Sequence, residues 1–474
     1  MKLENIDVEF TLSETKRLLE EDPNLSPALK HSVSLLLLLV TLLLNRLGLN
    51  SSNSSKPPSS DPNRIRKKQK SSTKDRGGQK GHNGTNLKPV SNPDVIETIP
   101  VDQSLLPVGD YKEVGYESRQ VIDIKISQIV TEYRAQIIES STGKRYTASF
   151  PEHVTRPVQY GVNLKSLSVY LSQHQLVPYS RIEEIFVDQA GVSLSSGSIY
   201  NFNEEAYKRL ETFDKIVKSE LKNSDLCHVD ETGINIDGKR NWLHCVSNTN
   251  WTYFFPHMKR GMQAIEAMEI LPSFNGILCH DHWKPYFKLE CRHSLCNAHH
   301  LRELERSLEQ YDQKWAKDVK SFLLEVNKGV AREGGQLTLE RSSELRFRYR
   351  SILKKAEQEC PAPSAEERKN KRGRIKRSPP RNLLERLIEY ENEVLRFMED
   401  KIVPFTNNQA ENDIRMTKVQ QKISGCFRSN IGAKIFCRVR SYISTCRKNG
   451  VSASLALKLL FKGKLPLFLC NNLE

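Results

Sequence analysis

The first 226 residues of this 474-residue chain contain no cysteine, and all ten cysteines lie at or after Cys227 at irregular spacing. No secretory leader precedes them, so we expect no disulfide framework and place the protein in the cytoplasm. The chain also lacks a long apolar run. Residues 35–44 are apolar except for Thr41, but about 10 residues are half of the about 20 that cross a bilayer. We interpret this run as a buried helix or a self-association seam rather than a membrane anchor.

Acidic residues are scarce relative to basic ones. The 57 Asp and Glu residues face 72 Lys and Arg residues, which leaves a formal net charge of +15. Such an excess suits a polyanionic partner, of which nucleic acid is the commonest. The length predicts roughly three domains of about 150 residues, which excludes a peptide hormone, a disulfide knot or a single binding module.

Composition and periodicity divide the chain into six segments. These are a helical self-association segment (1–50), a basic flexible linker (51–92), a small β-rich module (93–155), a helical helix-turn-helix-like DNA-binding region (156–220), an α/β core (221–455) and a C-terminal tail (456–474). The core contains an all-helical insertion at about residues 301–400. Ser13 is a candidate N-cap for the first helix, and residues 120–126 alternate apolar and polar side chains as strands do. Residues 198–207 are the candidate DNA-reading helix, although generic helical packing explains their pattern equally well.

The linker is rich in Ser, Pro, Gly and Lys and is too polar to bury a core. Between residues 51 and 86, nine basic residues face only Asp61 and Asp75. Among them Arg66, Lys67 and Lys68 are candidate contacts to DNA phosphates. A solubilising tether would have the same composition.

Residues 225–257 have the clearest secondary-structure pattern in the chain. Apolar segments separated by Asp237-Gly238 and by residues 248–250 predict three antiparallel strands. A helix over about residues 260–270 and a short apolar strand that ends at Asp281 should follow. Three antiparallel strands, a helix and a further strand are the opening order of a ribonuclease-H-like α/β fold.

Three acidic residues lie on elements that a ribonuclease-H-like fold would bring close together. Asp230 lies on the first predicted strand, Asp281 at the end of the fourth, and Glu411 one turn inside a late helix that follows an Asn cap. Phosphodiester cleavage needs converging carboxylates, because Mg²⁺ prefers oxygen ligands and two ions about 3.5 to 4 Å apart stabilise the entering and leaving oxygens. Each acid alone could be a surface charge or a cap. Together they predict a site for two Mg²⁺ ions, in which Mn²⁺ can substitute.

Histidines and cations flank these acids. The predicted neighbours of the metal ligands, acting as hydrogen-bond donors or local acids and bases, are His228, His280, His282, Cys296 and His299. The predicted substrate contacts in this region are Lys284, Tyr286, Arg415, Lys418 and Lys422. Glu411, Arg415 and Lys418 share one helix face because they are spaced by four and three residues. From Arg415 to Lys448 the chain has nine Lys or Arg residues and no acid, which favours phosphate contact over an ordinary solvated face.

Five Cys and His residues crowd into residues 291–300, CRHSLCNAHH. Cys and His are the usual zinc ligands. The spacing is not that of a standard zinc-finger pair, and no second Cys and His set accompanies it. We therefore expect these residues to pack internally or to lie beside the catalytic acids, and we regard bound zinc as the less favoured interpretation.

On these motifs the sequence resembles a DDE transposase of the insertion-sequence-66 family. The matching stretches span nearly the whole chain in family order and are SSKPPSSD (54–61), GGQKGHNG (77–84), HVDETG (228–233), HDHWKPYF (280–287), LCNAHHLREL (295–304), VPFTNNQAENDIRMTKVQQKISGCFRS (403–429) and RSYISTCRKNG (440–450). The resemblance implies a ribonuclease-H-like catalytic core with a helical insertion between the second and third acids, Mg²⁺ dependence, and recognition of terminal inverted repeats. It also implies that Asp230, Asp281 and Glu411 are the catalytic triad.

The sequence departs from the family at one point. Members usually carry a Cys-rich zinc ribbon after the GGQKGH-like motif, whereas the equivalent stretch, VDQSLLPVGDYKEVGYESRQVIDI, has no cysteine. A thiolate zinc site in that module is therefore excluded.

These patterns predict a bacterial insertion-sequence transposase that binds element ends and target DNA. We expect a homo-oligomer on DNA, helper proteins from the same element as possible partners, a nucleoid-associated location in the cytoplasm, and no membrane partner. The alternatives are a catalytically silent DNA-binding regulator derived from a transposase and a plain nuclease of the same fold.

Overall fold

The computed structural model describes residues 2–3, 6–22, 25–47, 49–54, 61, 87–363 and 377–470. The chain forms two units. The first comprises Met1–Ile65, Phe150–Glu184 and Leu194–Glu474, and the second comprises Arg66–Ser149 and Ile185–Ser193. The predicted DNA contacts Arg66, Lys67 and Lys68, with most of the predicted linker, lie outside the described residues.

The N-terminal segment is mainly helical. Two short strands, β1 (Lys2–Leu3) and β2 (Ile6–Asp7), precede helices α1 (Val8–Glu21) and α2 (Pro27–Leu47). The prediction that Ser13 caps the first helix is wrong, because α1 already begins at Val8. The Ser13 hydroxyl instead donates a hydrogen bond to the Phe10 carbonyl at 2.8 Å inside the helix.

The leucine run lies within α2 and is not buried. Leu36 and Leu43 are 59% and 60% exposed, which contradicts the prediction of a buried helix. The 18-residue window Pro27–Leu44 has a mean hydropathy of 1.9 and, by length and composition alone, is apolar enough to cross a membrane. The length argument against a membrane helix is therefore wrong, because it counted only the nearly uninterrupted apolar run and not the rest of the helix, which begins at Pro27.

Most of residues 87–150 run as chain without regular secondary structure. The exceptions within this described stretch are a 3₁₀ turn (Gln103–Leu105) and the hairpin of β3 (Ile137–Glu139) and β4 (Arg145–Thr147). The hairpin is the part of the predicted β-rich module that pairs. Val121 and Ile124 are exposed and unpaired in strands, because alternation favours extended backbone but does not supply a partner strand.

Helices occupy the region predicted to resemble a helix-turn-helix. They are α3 (Val162–Val169), a π turn (Tyr170–His174), α4 (Tyr179–Ala190), α5 (Ser196–Arg209) and α6 (Glu211–Lys222). The candidate reading helix corresponds to α5. Ser195 caps it by accepting a hydrogen bond from the Ser198 N–H at 3.2 Å, and its Ile199 and Phe202 side chains are buried.

A five-stranded mixed sheet forms the centre of the first unit. Its strands are β5 (Leu226–Ile236), β6 (Lys239–Ser247), β7 (Thr252–His257), β8 (Ile277–His280) and β9 (Arg292–Leu295), in the order β7-β6-β5-β8-β9. β5, β6 and β7 are antiparallel, whereas β8 is parallel to both β5 and β9. Between β7 and β8 lie α7 (Met262–Ala267) and a 3₁₀ turn (Leu271–Ser273). The predicted four strands and helix are present, and β9 was missed because RHSL has no apolar alternation.

The turns of the sheet follow from local sequence. Asp237 and Gly238 have φ angles of 50° and 71° and form the two-residue loop between Ile236 and Lys239, which is the geometry favoured by Asp-Gly in hairpins. At the next turn the Asn248 side chain accepts hydrogen bonds from the Asn250 and Trp251 N–H groups. Both turns lie where the sequence predicted them.

The insertion after β9 is helical throughout its described residues. Its helices are α8 (Asn297–Tyr311), α9 (Lys314–Arg332), α10 (Leu339–Glu359), α11 (Pro379–Glu389) and α12 (Glu391–Glu399). Their buried side chains form one core that includes Ile277 of β8 and Leu295 of β9. The insertion is thus packed onto the sheet at its β8–β9 side.

Helices α13 (Asn408–Ser424) and α14 (Asn430–Lys448) cover the sheet, and α15 (Ala453–Phe461) and α16 (Leu467–Cys470) follow. Ile414 of α13 and Phe436 of α14 share a core with Ile234, Leu243 and Phe254. The Ser441 and Thr445 hydroxyls of α14 accept hydrogen bonds from β7 N–H groups, which protects that edge strand from other pairing. Residues 457–470, predicted as a C-terminal tail, continue these packed helices. The result is a mixed α/β core consistent with a ribonuclease-H-like fold.

Candidate active site

Asp230 and Asp281 lie on neighbouring parallel strands. The register pairs Leu226 with Ile277 and His228 with Cys279, so Asp230 and Asp281 occupy corresponding positions where β8 ends. Neighbouring strands are about 4.8 Å apart. The sheet therefore brings these two predicted metal ligands side by side at the carboxyl end of β8. We call this end of the sheet the acidic edge.

Glu411 reaches this edge from α13, whose first turn is tied to β5 by Asn407. The Asn407 amide donates to the Val229 carbonyl at 2.7 Å, and its oxygen lies 2.8 Å from His228 Nδ1. Asn407 occupies the N-cap position of α13, as the sequence predicted, but its side chain makes no cap hydrogen bond and binds the neighbouring strand instead. Asn407 thus couples the helix of Glu411 to the strand of Asp230, and sequence reasoning missed this role.

Three neighbouring acids act on the pKa of Asp230. Burial, followed by the charges of Glu231, Asp281 and Glu411, raises the pKa of Asp230 to about 8, against a hydrogen bond from the Glu231 N–H that lowers it. The Asp281 side chain accepts a hydrogen bond from the Trp283 N–H at 3.1 Å, which orients it. Carboxylates that repel one another in this way are suited to neutralisation by a divalent cation.

Glu231 follows Asp230 in the chain, but its carboxylate binds other side chains. Its buried carboxylate accepts hydrogen bonds from Arg260 at 2.8 Å and from the Tyr286 hydroxyl at 2.7 Å. The Arg260 guanidinium is stacked 4.9 Å from the Trp242 ring centre and 4.5 Å from that of Trp283. The prediction that Tyr286 contacts phosphate is wrong, because its side chain is buried and its hydroxyl is directed at Glu231.

The predicted histidine neighbours occupy different environments. His228 is buried against Asn407, and burial lowers its pKa. His280 is fully buried, with Nε2 3.2 Å from His293 Nδ1, and burial holds its pKa well below the usual range. His282 directly follows Asp281 with a left-handed φ of 73°, and burial followed by the charge of Arg386 lowers its pKa to about 4. All three are therefore neutral at pH 7 and can donate or accept hydrogen bonds.

The crowded Cys and His residues separate into different surroundings. Cys291 is half-exposed, His293 is buried on β9, and His300 is buried with Nδ1 3.0 Å from the Asn297 side-chain oxygen. Cys296 and His299 face Glu411. The ligand atoms of these three all lie within 4.8 Å of one another, and they are the one such group of three found in the described part of the chain. The carboxylates of Asp230, Asp281 and Glu411 do not form such a group in this structure.

The predicted cationic contacts lie on two elements near the acids. Arg415, Lys418 and Lys422 are exposed on α13, and Lys284 is exposed at the start of a 3₁₀ turn (Lys284–Lys288). Lys418 Nζ lies 3.4 Å from the Gly233 carbonyl, and burial followed by the charge of Arg240 lowers its pKa. Among these four cations, Lys418 is near enough to Asp230 for the charge of that carboxyl to act on its pKa.

Three of the nine cations between Arg415 and Lys448 bind partners within the protein instead of facing a DNA surface. Arg440 is buried and donates to the Gln173 and His174 carbonyls, Arg438 pairs with Asp214 at 3.1 Å, and Lys448 pairs with Asp413 at 2.8 Å. For these three the prediction of phosphate contact is wrong. A cation count along the sequence does not distinguish the two faces of α14.

Comparison with known proteins identifies a family that matches this chain. A family model described as "Transposase IS66 family" matches residues 157–435, which is more than half of the chain. A second model, described as a family of unknown function (DUF6444), matches residues 28–88. A search of curated proteins found no match.

Proposed function

The chain belongs to the IS66 family of transposases, and from this premise we propose that it cleaves DNA at the ends of its element and transfers the freed ends to target DNA. The observation that carries the proposal is the alignment of Asp230 with Asp281 on adjacent parallel strands, with Glu411 close enough to raise the pKa of Asp230. In the proposed reaction water attacks the phosphodiester, and the released 3′ hydroxyl then attacks the target strand.

The three acids fit Mg²⁺ as ligands. They offer hard carboxylate oxygens, which Mg²⁺ prefers and for which Mn²⁺ can substitute, and their mutual repulsion favours cation binding. Mg²⁺ ions held by Asp230, Asp281 and Glu411 would supply Lewis-acid stabilisation of the phosphoryl oxygens and acidify the attacking water.

The remaining residues position these acids and the substrate. With a pKa of about 8, Asp230 holds a proton at neutral pH in the metal-free protein and releases it when a cation binds. Asn407 maintains the spacing between α13 and β5. In this proposal Arg415, Lys418, Lys422 and Lys284, which are exposed, neutralise DNA phosphates.

DNA recognition falls to the segments before the core. We assign terminal-repeat recognition to the helices within residues 156–220 and non-specific phosphate contact to the basic linker. Two element ends must be handled together, so we also propose a homo-oligomer, with the exposed leucine face of α2 as the association seam. Such a complex acts at the nucleoid in the cytoplasm, and helper proteins from the same element are further candidate partners.

The decisive experiment is a cleavage and joining assay on labelled DNA that flanks the gene, in Mg²⁺ or in EDTA. The wild-type chain and the matched control Asp225→Asn, whose carboxyl is exposed, should cut the end and join it to a second duplex. Asp230→Asn should do neither and should still bind DNA. Cutting without joining would identify a plain nuclease, and DNA binding without Mg²⁺-dependent cutting in the wild type would identify the silent regulator. Full activity in Asp230→Asn would overturn the site.

A further inference from the structure

A sulfur, a nitrogen and an oxygen ligand meet beside the acidic edge. Cys296 precedes α8, His299 lies in its first turn, and Glu411 lies in the first turn of α13. Their ligand atoms are all within 4.8 Å of one another. Cys296 and Glu411 sit at the N-terminal ends of two helices, where the helix dipole favours a thiolate and a carboxylate.

Two of these ligand atoms lack a partner. His299 Nδ1 and Glu411 Oε1 are buried, and neither has a hydrogen-bond partner among the described residues. They lie 3.8 Å apart, which is too far for a hydrogen bond. A buried polar atom without a partner is destabilising, because it has lost its hydrogen bonds to water. A ligand between the two atoms would remove that cost.

Cys296 is held in place as the third ligand. Its Sγ accepts a hydrogen bond from the Asn407 N–H at 3.1 Å. Burial and the charge of Glu411 raise the pKa of this thiol, against the N–H groups of Asn407, His299 and Ala298, which lower it. The sulfur is therefore a thiol in the metal-free chain, and a metal ion that binds it would release one proton to solvent.

We propose that Cys296, His299 and Glu411 bind a thiolate-preferring divalent ion of the Zn²⁺ class. Tetrahedral zinc with bonds of about 2.0–2.3 Å places its ligand atoms about 3.3–3.7 Å apart, so a group whose ligand atoms lie within 4.8 Å of one another needs to close by at most about 1.5 Å. Sulfur favours Zn²⁺ over Mg²⁺, and three protein ligands leave a fourth position open. The sequence disfavoured zinc because the spacing is not that of a standard finger pair and no second Cys and His set follows; the third ligand, Glu411, is distant in the chain and no local spacing indicates it.

The site overlaps the proposed catalytic centre at one residue. Glu411 cannot give the same oxygen to a zinc ion and to Mg²⁺, so occupancy by zinc should compete with the Mg²⁺ acids. This consequence rests on the proposed function, whereas zinc binding itself does not.

Co²⁺ is the probe for the test, because a thiolate ligand gives it a sulfur-to-metal charge-transfer absorption. We expect this absorption when Co²⁺ is added to the metal-free full-length chain, and displacement of Co²⁺ by Zn²⁺. Cys296→Ser should abolish the absorption, and His299→Ala should weaken Co²⁺ binding by more than about 100-fold, since loss of an outer partner alone costs 10- to 100-fold. The matched control Cys291→Ser, which removes the half-exposed cysteine outside the group, should bind as the wild type does.

Several outcomes would overturn the site. They are no charge-transfer absorption in the wild type, its retention in Cys296→Ser, or an equal loss in Cys291→Ser. If Cys296→Ser fails to fold, as judged by circular dichroism, unchanged Co²⁺ binding by His299→Ala would still refute the proposal. Asp230→Asn should keep the sulfur-to-metal absorption with Co²⁺, because Asp230 is not a ligand of this site, so a failure of the proposed catalysis is distinguishable from a failure of this site.

Discussion

Asp230→Asn should stabilise the metal-free protein while abolishing its activity. In the folded chain the pKa of Asp230 is raised from 3.8 to about 8. A carboxyl whose folded pKa is raised contributes stability that is fully present below its unfolded pKa and is lost as pH rises through the folded pKa. The wild type should therefore lose stability between about pH 4 and pH 8, and the variant, which cannot ionise, should not lose this contribution.

The size of the effect follows from the shift. About four pKa units at about 1.4 kcal/mol each set an upper limit near 6 kcal/mol above pH 8. The side chain is only partly buried, so water screens the charge and we expect about half, near 3 kcal/mol. Asn retains the oxygen that accepts the Glu231 N–H bond, so the substitution leaves that contact in place. For a core of this size, 3 kcal/mol corresponds to a rise of about 6–12 °C in Tm.

Thermal unfolding at pH 5, 7 and 9 in EDTA measures this difference. The gap in Tm between Asp230→Asn and the wild type should widen with pH and level off above about pH 8. Asp225→Asn is the control, because its exposed carboxyl should give no such gap. Added Mg²⁺ should raise the Tm of the wild type and have a smaller effect on Asp230→Asn. Parallel curves for the wild type and Asp230→Asn across this pH range would refute the reasoning.

Three further predictions follow from side-chain partners. Asn407→Ala should weaken Mg²⁺ binding by about 10- to 100-fold because α13 loses its ties to β5; calorimetry checks this, and the exposed Asn412→Ala should bind normally. Arg260→Met leaves the buried Glu231 without its cation and should lower the free energy of unfolding in urea by about 3 kcal/mol. Adding Glu231→Gln to the same chain should restore most of that loss. An unchanged free energy of unfolding in Arg260→Met would contradict a stabilising ion pair. Arg415→Ala should lower the salt dependence of DNA binding by about one unit of slope, whereas Arg438→Ala, whose partner is Asp214, should not; equal slopes for the two would count against the DNA face of α13.

The central strands were predictable because their signals are local. The Asp237-Gly238 turn takes the positive φ angles that hairpin loops require, and the apolar segments on either side of it became β5 and β6. The placement of Asp230 on a strand and of Glu411 inside a helix followed from the same short-range patterns. Residues 120–126 show the limit of such patterns, since alternation without a partner strand left them exposed and outside any strand.

Sequence by itself determined the elements that carry the acids, because backbone conformation depends on neighbours a few residues away. Tertiary structure alone decided which side chains meet, because those partners lie far apart in the chain: His228 and Asn407 are 179 residues apart and touch. The same reason explains why the Tyr286 hydroxyl is directed at Glu231, why Arg440 points inward, and why Cys296 faces Glu411 while Cys291, five residues earlier, does not.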